Sequence, residues 1–341
     1  MLNPFWGTGD DPRDPSYGRY DAFVAEGPSF LTLTEFEAAN VVLFPVPWEL
    51  AKDDPAAVES AWRLARLAAE HDKPLLIFFW SDSTESVPIE PSVVFRTSSF
   101  GSGRRPNELA MPAWSEDFVE RYLAGVEVTR PRYERPLVGF CGFDTPHPTA
   151  FKALVKRALR KTDGSRKTDG SVRGRALTAL AAGKDIDTRF VIRDRFWGGS
   201  ILPSGQPDYS VMQQVRQQYV ENMIETDYGL AARGVGNFSY RLYELLSCGR
   251  IPLFVNTDCL LPFEQELDWR RFTVWVDEHE LDSVVSRLVE FHTGLDDEAF
   301  ADLQHDCRRV WLDYLSPQGF FRHLHLHFQP DGDGHLRLKT A

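Results

Sequence analysis

Cysteine is scarce in this chain. The four residues, Cys141, Cys248, Cys259 and Cys307, are scattered through 341 positions without C-x-x-C spacing. That pattern excludes a zinc knuckle or a disulfide framework as the organising device and fits buried, reduced thiols. Positive charge is also short, with 38 Lys and Arg against 50 Asp and Glu and a formal net charge of −12. A general nucleic-acid binder needs a basic surface to displace counterions, so that class of partner is excluded, although a local basic pocket is not. No window reaches the roughly eighteen continuous apolar residues of a membrane span. The opening run MLNPFWGTGDDPRDPSYG lacks the basic and apolar regions of a secretory signal. A soluble, cytoplasmic protein without an integral membrane segment is the expectation. Composition leaves the oligomeric state open.

What the chain does have is an ordinary globular balance, 43% hydrophobic and 26% charged, with aromatics raised to 13%. A rich core and sugar-stacking surfaces both account for the aromatics. The length suits two domains. Apolar runs over residues 40–45, 75–80 and 92–96 read as buried strands, and Asp54–Pro55 opens an amphipathic helix carrying Val58, Ala61, Trp62, Ala65 and Ala68. Alternating strand and helix over the first 130 residues predicts a parallel sheet with ligand-facing loops at 45–49, 81–86 and 97–108. The charged, proline-bearing stretch GVEVTRPRYERP, residues 125–136, marks a domain boundary.

Beyond it, residues 137–141 restart a strand, 148–161 read as a helix, and KTDGSRKTDGS, 161–171, is a tandem repeat best read as a solvated loop. A strand over 189–193 and a helix over 209–224 precede TDYGLAARGVGNFSYRLYELLSCGRIPLFV, residues 226–255. That stretch reads as strand, glycine loop, helix and strand, a βαβ unit. Gly234 and Gly236 allow a tight loop and close approach of a ligand. Asn237 or Ser239 can cap the helix, Arg233 stands in the loop, and Arg241 and Glu244 share one helix face. Gly249 ends the helix. A helix N-terminus fed by a glycine loop attracts phosphate through its unpaired N–H groups and its dipole. A strand over 271–276, helices over 280–292 and 298–315, and a tail from 319 complete the chain.

Arg233–Gly234, Ser239, Arg241, Glu244, Gly249, Pro252, the Leu261–Pro262–Phe263 turn and Trp269 together resemble the exostosin family of glycosyltransferases over about forty residues. Ala232 departs from that pattern, where the family has proline. The resemblance implies GT-B architecture: two Rossmann-like α/β domains facing across a cleft, here residues 1–133 for the acceptor, 134–318 for a nucleotide sugar, and a tail over 319–341. It also implies a UDP-sugar donor, a carbohydrate or glycoconjugate acceptor, and inverting transfer without an obligatory metal or other cofactor. Arg241 and Arg233 would contact the diphosphate and Glu244 the ribose hydroxyls, with Gly234, Gly236, Asn237 and Ser239 completing the donor side. Retaining GT-B relatives often carry an acid eight residues before that glutamate; Gly236 stands there, which agrees with inversion.

An inverting enzyme needs a base for the acceptor hydroxyl. Asp82, Glu49 and Glu85 each follow an expected strand end; Asp82 ranks first and at most one of them acts. His323, His325 and His327 alternate and could share a strand face, but an edge strand or tail accounts for them without metal. Asp258 and Glu264 flank the Leu-Pro-Phe turn, and Arg104 and Arg105 occupy a loop where an anionic acceptor could bind. A degenerate exostosin-like protein that binds nucleotide sugar or glycan, or partners an active homologue, is the alternative. A dinucleotide-binding oxidoreductase is disfavoured because GVG lacks the third glycine of the fingerprint.

Overall fold

The computed structural model of the chain describes residues 11–144 and 171–339. The helix expected over 148–161 and nearly all of the tandem repeat lie outside them. Helix α1 (Asp21–Phe30) is followed by strand β1 (Val42–Leu43), the single turn α2 (Trp48–Ala51) and helix α3 (Pro55–Glu70). Asp54 caps α3, its carboxylate accepting from the Ala56 amide at 2.9 Å, and Ala61, Ala65 and Ala68 are buried on one face. Strands β2 (Leu75–Phe79), β3 (Val93–Arg96) and β4 (Glu108–Ala110) complete a parallel sheet in the order β1-β2-β3-β4.

Among the described residues one long helix, α3, lies between strands of this sheet, fewer than the alternation suggested. Between β2 and β3 an irregular loop buries Val87 and Ile89 where a crossover helix would lie. Successive side chains of β2 point to opposite faces. Leu75, Ile77 and Phe79 join the α3 cluster, while Leu76 and Phe78 join the main core.

Helix α4 (Phe118–Tyr122) precedes the second unit, which begins at β5 (Leu137–Phe143) and continues through helix α5 (Val172–Ala181) to β6 (Asp187–Arg193). Helix α6 (Tyr209–Ile224), β7 (Tyr228–Ala231), helix α7 (Tyr240–Ser247), β8 (Ile251–Asn256) and β9 (Val274–Asp277) follow. All five strands are parallel, in the order β6-β5-β7-β8-β9. The chain goes from β5 to one side and returns on the other, so the β5–β7 gap is a topological switch point, where open α/β sheets bind ligands. Strands β7 and β8 are buried almost throughout, as a parallel sheet covered on both faces requires, whereas edge strand β6 is mostly exposed and carries Asp187, Arg189 and Arg193.

After helices α8 (Val284–Thr293) and α9 (Asp297–Val310) the chain does not trail off. Ser316 caps helix α10 (Pro317–His323), which returns to the first sheet and sets Phe320 and Phe321 against Trp114 at ring distances of 5.5 and 5.6 Å. A hairpin of β10 (Phe328–Pro330) and β11 (Leu336–Leu338) closes the described chain. The segment expected as a tail is therefore part of the core of the first half, and His323, His325 and His327 lie in a helix end and a 3-10 turn instead of along one strand face. His323 stacks on Tyr314 and His327 on Phe263. The main hydrophobic cluster runs continuously through both halves. This is the expected pair of parallel α/β units meeting at the carboxyl ends of their strands, the GT-B arrangement. No helix among the described residues is long and apolar enough to cross a membrane.

Candidate active site

The glycine loop after β7 lies at the switch point and reaches the carboxyl edge of the first sheet. Neither Gly234 nor Gly236 has a positive φ, so the expected tight turn is not what glycine provides here. What they give is close approach, which Gly236 strictly requires. A Cβ on Gly236 would sit 2.6 Å from Asp82 Oδ1 and 2.9 Å from Asp82 Cα, and one on Gly234 would sit 3.1 Å from Arg173 Nη2. Gly249, at φ +67°, does end α7 as expected.

Ser239 holds the N-cap position of α7, but no side chain caps the helix amides. Asn237 is committed elsewhere. Its amide nitrogen donates to the Ser99 carbonyl at 2.8 Å, its Oδ1 accepts from Thr257 Oγ1 at 2.7 Å, and its backbone N–H donates to Ser98 Oγ at 2.9 Å. Asn237, expected on the donor side, ties the two halves together through these bonds.

Arg241, in the first turn of α7, stacks on Phe140 with its guanidinium carbon 4.2 Å from the ring centre. It donates to the Cys141 carbonyl and, at 3.3 Å, to the Tyr219 hydroxyl. Its Nη1 is buried without a hydrogen-bond partner. Arg173, from α5, shares the same ring at 5.8 Å and spans the switch point, donating to the Phe143 carbonyl at the end of β5 and the Ala232 carbonyl beyond β7. Burial, and then the neighbouring Arg241, lower its pKa. The Nε atoms of Arg173 and Arg233 are also buried without partners. A buried N–H left unpaired costs about 1–3 kcal/mol. Several such donors around one switch point form a site that an anion would complete.

Glu244 is almost fully buried. Tyr219 donates its hydroxyl to Oε2 and Arg216 approaches Oε1 at 3.4 Å, while Arg216 also pairs with Glu116. Burial drives the Tyr219 phenol above its ordinary pKa, keeping it a donor. The carboxylate, expected to meet the ribose, orients Tyr219, which in turn meets Arg241.

On the first half the three candidate bases separate. Lys52 lies 3.4 Å from Glu49 and 3.9 Å from Glu85 and draws these two together, with one Glu49 oxygen buried and unpaired. Asp82 is exposed and borders Gly236. Asp258, at φ +58°, accepts from the backbone and hydroxyl of Ser102, and Glu264 pairs with Arg104 at 2.7 Å. These acids fasten the halves together.

A profile of the Exostosin GT47 domain matches residues 139–291, from within β5 to the end of α8. Residues 139–291 are an exostosin GT47 domain. Exostosin-1 of Drosophila melanogaster is 33% identical over 66 residues, 19% of this chain and 9% of that protein, so the chain corresponds to a small part of that relative's length. Among solved structures, a glycosyltransferase from Rickettsia africae ESF-5 is similar with a TM-score of 0.40 and 10% identity over 80% of each chain. TarM is similar with a TM-score of 0.32 and 7% identity over 79% of this chain and 57% of that one.

The exostosin domain so defined includes Arg173, which sequence reasoning passed over. Its signal was faint, an arginine in the first turn of a helix capped by Ser171, next to a polar repeat. Tyr219 and Arg216 also went unread, because nothing in helix α6 announces that its polar residues point inward. His327, outside the domain, has its pKa lowered to about 4, by burial first and by the cations Lys339 and Arg104 after it.

Proposed function

We propose that the chain transfers a sugar from a UDP-sugar to a hydroxyl of a carbohydrate acceptor, with inversion and without a required metal. The observation that carries this reading is the meeting of Asp82, on the first half, with the glycine loop of the exostosin domain, beside arginines that hold unused N–H donors. The diphosphate would lie at the β5–β7 switch point, held by Arg241, Arg173 and Arg233 and by the uncapped N-terminus of α7. Asp82 would take the proton of the acceptor hydroxyl. The freed oxygen attacks the anomeric carbon, the bond to the diphosphate breaks, and its electron pair leaves with UDP. The charge that grows on the leaving diphosphate is met by fixed cations, which lowers the barrier because they need no rearrangement. Glu244 and Tyr219 would hold Arg241 in place.

The test has two parts. UDP should raise the melting temperature where NAD does not, as a ligand of the native state must. Asp82→Asn should lower UDP release from UDP-sugars by about 10²- to 10⁴-fold and leave UDP binding intact. A shift with NAD alone would overturn the reading, and normal turnover in the Asn variant would move the base to Glu49 or Glu85. Activity that survives EDTA is expected. The engagement of Glu244 favours one other reading, a protein that binds UDP or glycan without turning over. UDP binding with no release from any UDP-sugar would select it.

A further inference from the structure

Ser98 is fully buried at the end of β3, and its single hydroxyl serves both halves of the proposed centre. It donates to the backbone carbonyl of Asp82 at 3.0 Å and accepts from the backbone N–H of Asn237, in the glycine loop, at 2.9 Å. A hydroxyl has one proton to give and lone pairs to receive, so both bonds form at once with a fixed polarity. Arg96 supports it from below. Its guanidinium donates to the carbonyls of Ser98 at 2.8 Å, Ser83 at 3.0 Å and Glu85 at 2.9 Å, while its Nη1 pairs with Glu108 at 2.8 Å. The loop bearing Asp82 is thereby fastened at that residue and just beyond it, at Ser83 and Glu85. No other described hydrogen bond joins the Asp82 backbone to the exostosin domain through one atom.

Resting on the proposed transfer reaction, we infer that Ser98 is a positioning residue that sets the separation between the acceptor-side base and the donor-side loop. The physical demand is strict. A base must stand within hydrogen-bond reach of the proton it takes, and a misplacement of about 1 Å costs on the order of a hundredfold in rate. Two covalently distant loops hold such a tolerance only if something fixed lies between them. Ser98 acts through Asp82 and touches no reacting atom, so its loss should lower turnover without weakening the donor.

Ser98→Ala removes the hydroxyl and keeps the Cβ. The expected result is a tenfold to hundredfold fall in kcat for UDP release, with UDP affinity within twofold of the parent. In an Asp82→Asn background, assayed at raised enzyme concentration, the same change should cost less than twofold, because the positioned group is already gone. Turnover within twofold of an active parent would overturn the proposal, as would an equal loss in both backgrounds. If the Ala variant does not fold, Ser98→Cys, of similar volume and weaker hydrogen bonding, decides by the same readings. A parent that releases no UDP from any UDP-sugar overturns the transfer reaction itself, and the proposal falls with it.

Discussion

Gly236 is the residue on which the two halves most closely depend. Its missing Cβ leaves room for Asp82 and for the ring of Phe238, which would stand 2.7 Å from a methyl group. Gly236→Ala should therefore push the loop from Asp82, costing about 1–3 kcal/mol in stability and more than tenfold in UDP release. Urea unfolding and initial-rate assays check it; an Ala variant as stable and active as the parent would contradict the packing. His327 gives a residue-scale effect of pH. Its folded pKa of about 4 lies below the ordinary value near 6.5, so the native state binds fewer protons than the unfolded state between those limits. Its contribution is fully present above pH 6.5 and is lost as pH falls towards 4, on the order of 2–3 kcal/mol. The melting temperature should drop from pH 7.5 to pH 4.5, and drop less in His327→Gln. An equal drop in both would assign the acid sensitivity to other groups.

At the scale of elements, β3 and β4 are joined by more than backbone. Arg96 and Glu108 form a nearly solvent-free ion pair at 2.8 Å, and Arg96 also serves the carbonyls of the β2–β3 loop. Breaking a buried pair strands a charge, so Glu108→Ala should cost about 3–5 kcal/mol by urea denaturation. A cost below about 1 kcal/mol would mean that the carbonyls alone satisfy the guanidinium. The same elements show where sequence reading succeeds and stops. Strands β2 and β8 were legible because both their faces are covered, leaving unbroken apolar runs. Strand β4 was not, because ELA has no run to reveal it and owes its state to pairing with β3. The histidine alternation of FFRHLHLHF suggested a strand, but the Ser316 cap, Pro317 and the burial of Phe320 and Phe321 set a helix there.

The whole molecule is tied together by that helix. Phe320 stands 5.6 Å from Phe95 and 5.8 Å from Phe263, so it touches aromatic residues from both halves. Phe320→Ala should cost about 3–5 kcal/mol, and both halves should still unfold in one transition, because one core cluster runs through them. Fluorescence and far-ultraviolet circular dichroism, followed together, check this. Two separated transitions would show that the halves fold independently.

By itself the sequence determined the second parallel unit, the glycine loop and its helix, and the exostosin character of residues 139–291. Those features are local: apolar runs, glycine positions and short spacings that one segment carries alone. Tertiary structure decided which residues face one another. It placed Arg173 across the switch point, turned Glu244 inward to Tyr219, spent Asn237 on Ser99 and Thr257, and brought Asp82 against Gly236. Such pairings join positions 20 to 154 residues apart, and no periodicity within a segment encodes them. They follow from how two sheets dock, which is settled by the packing of both halves at once.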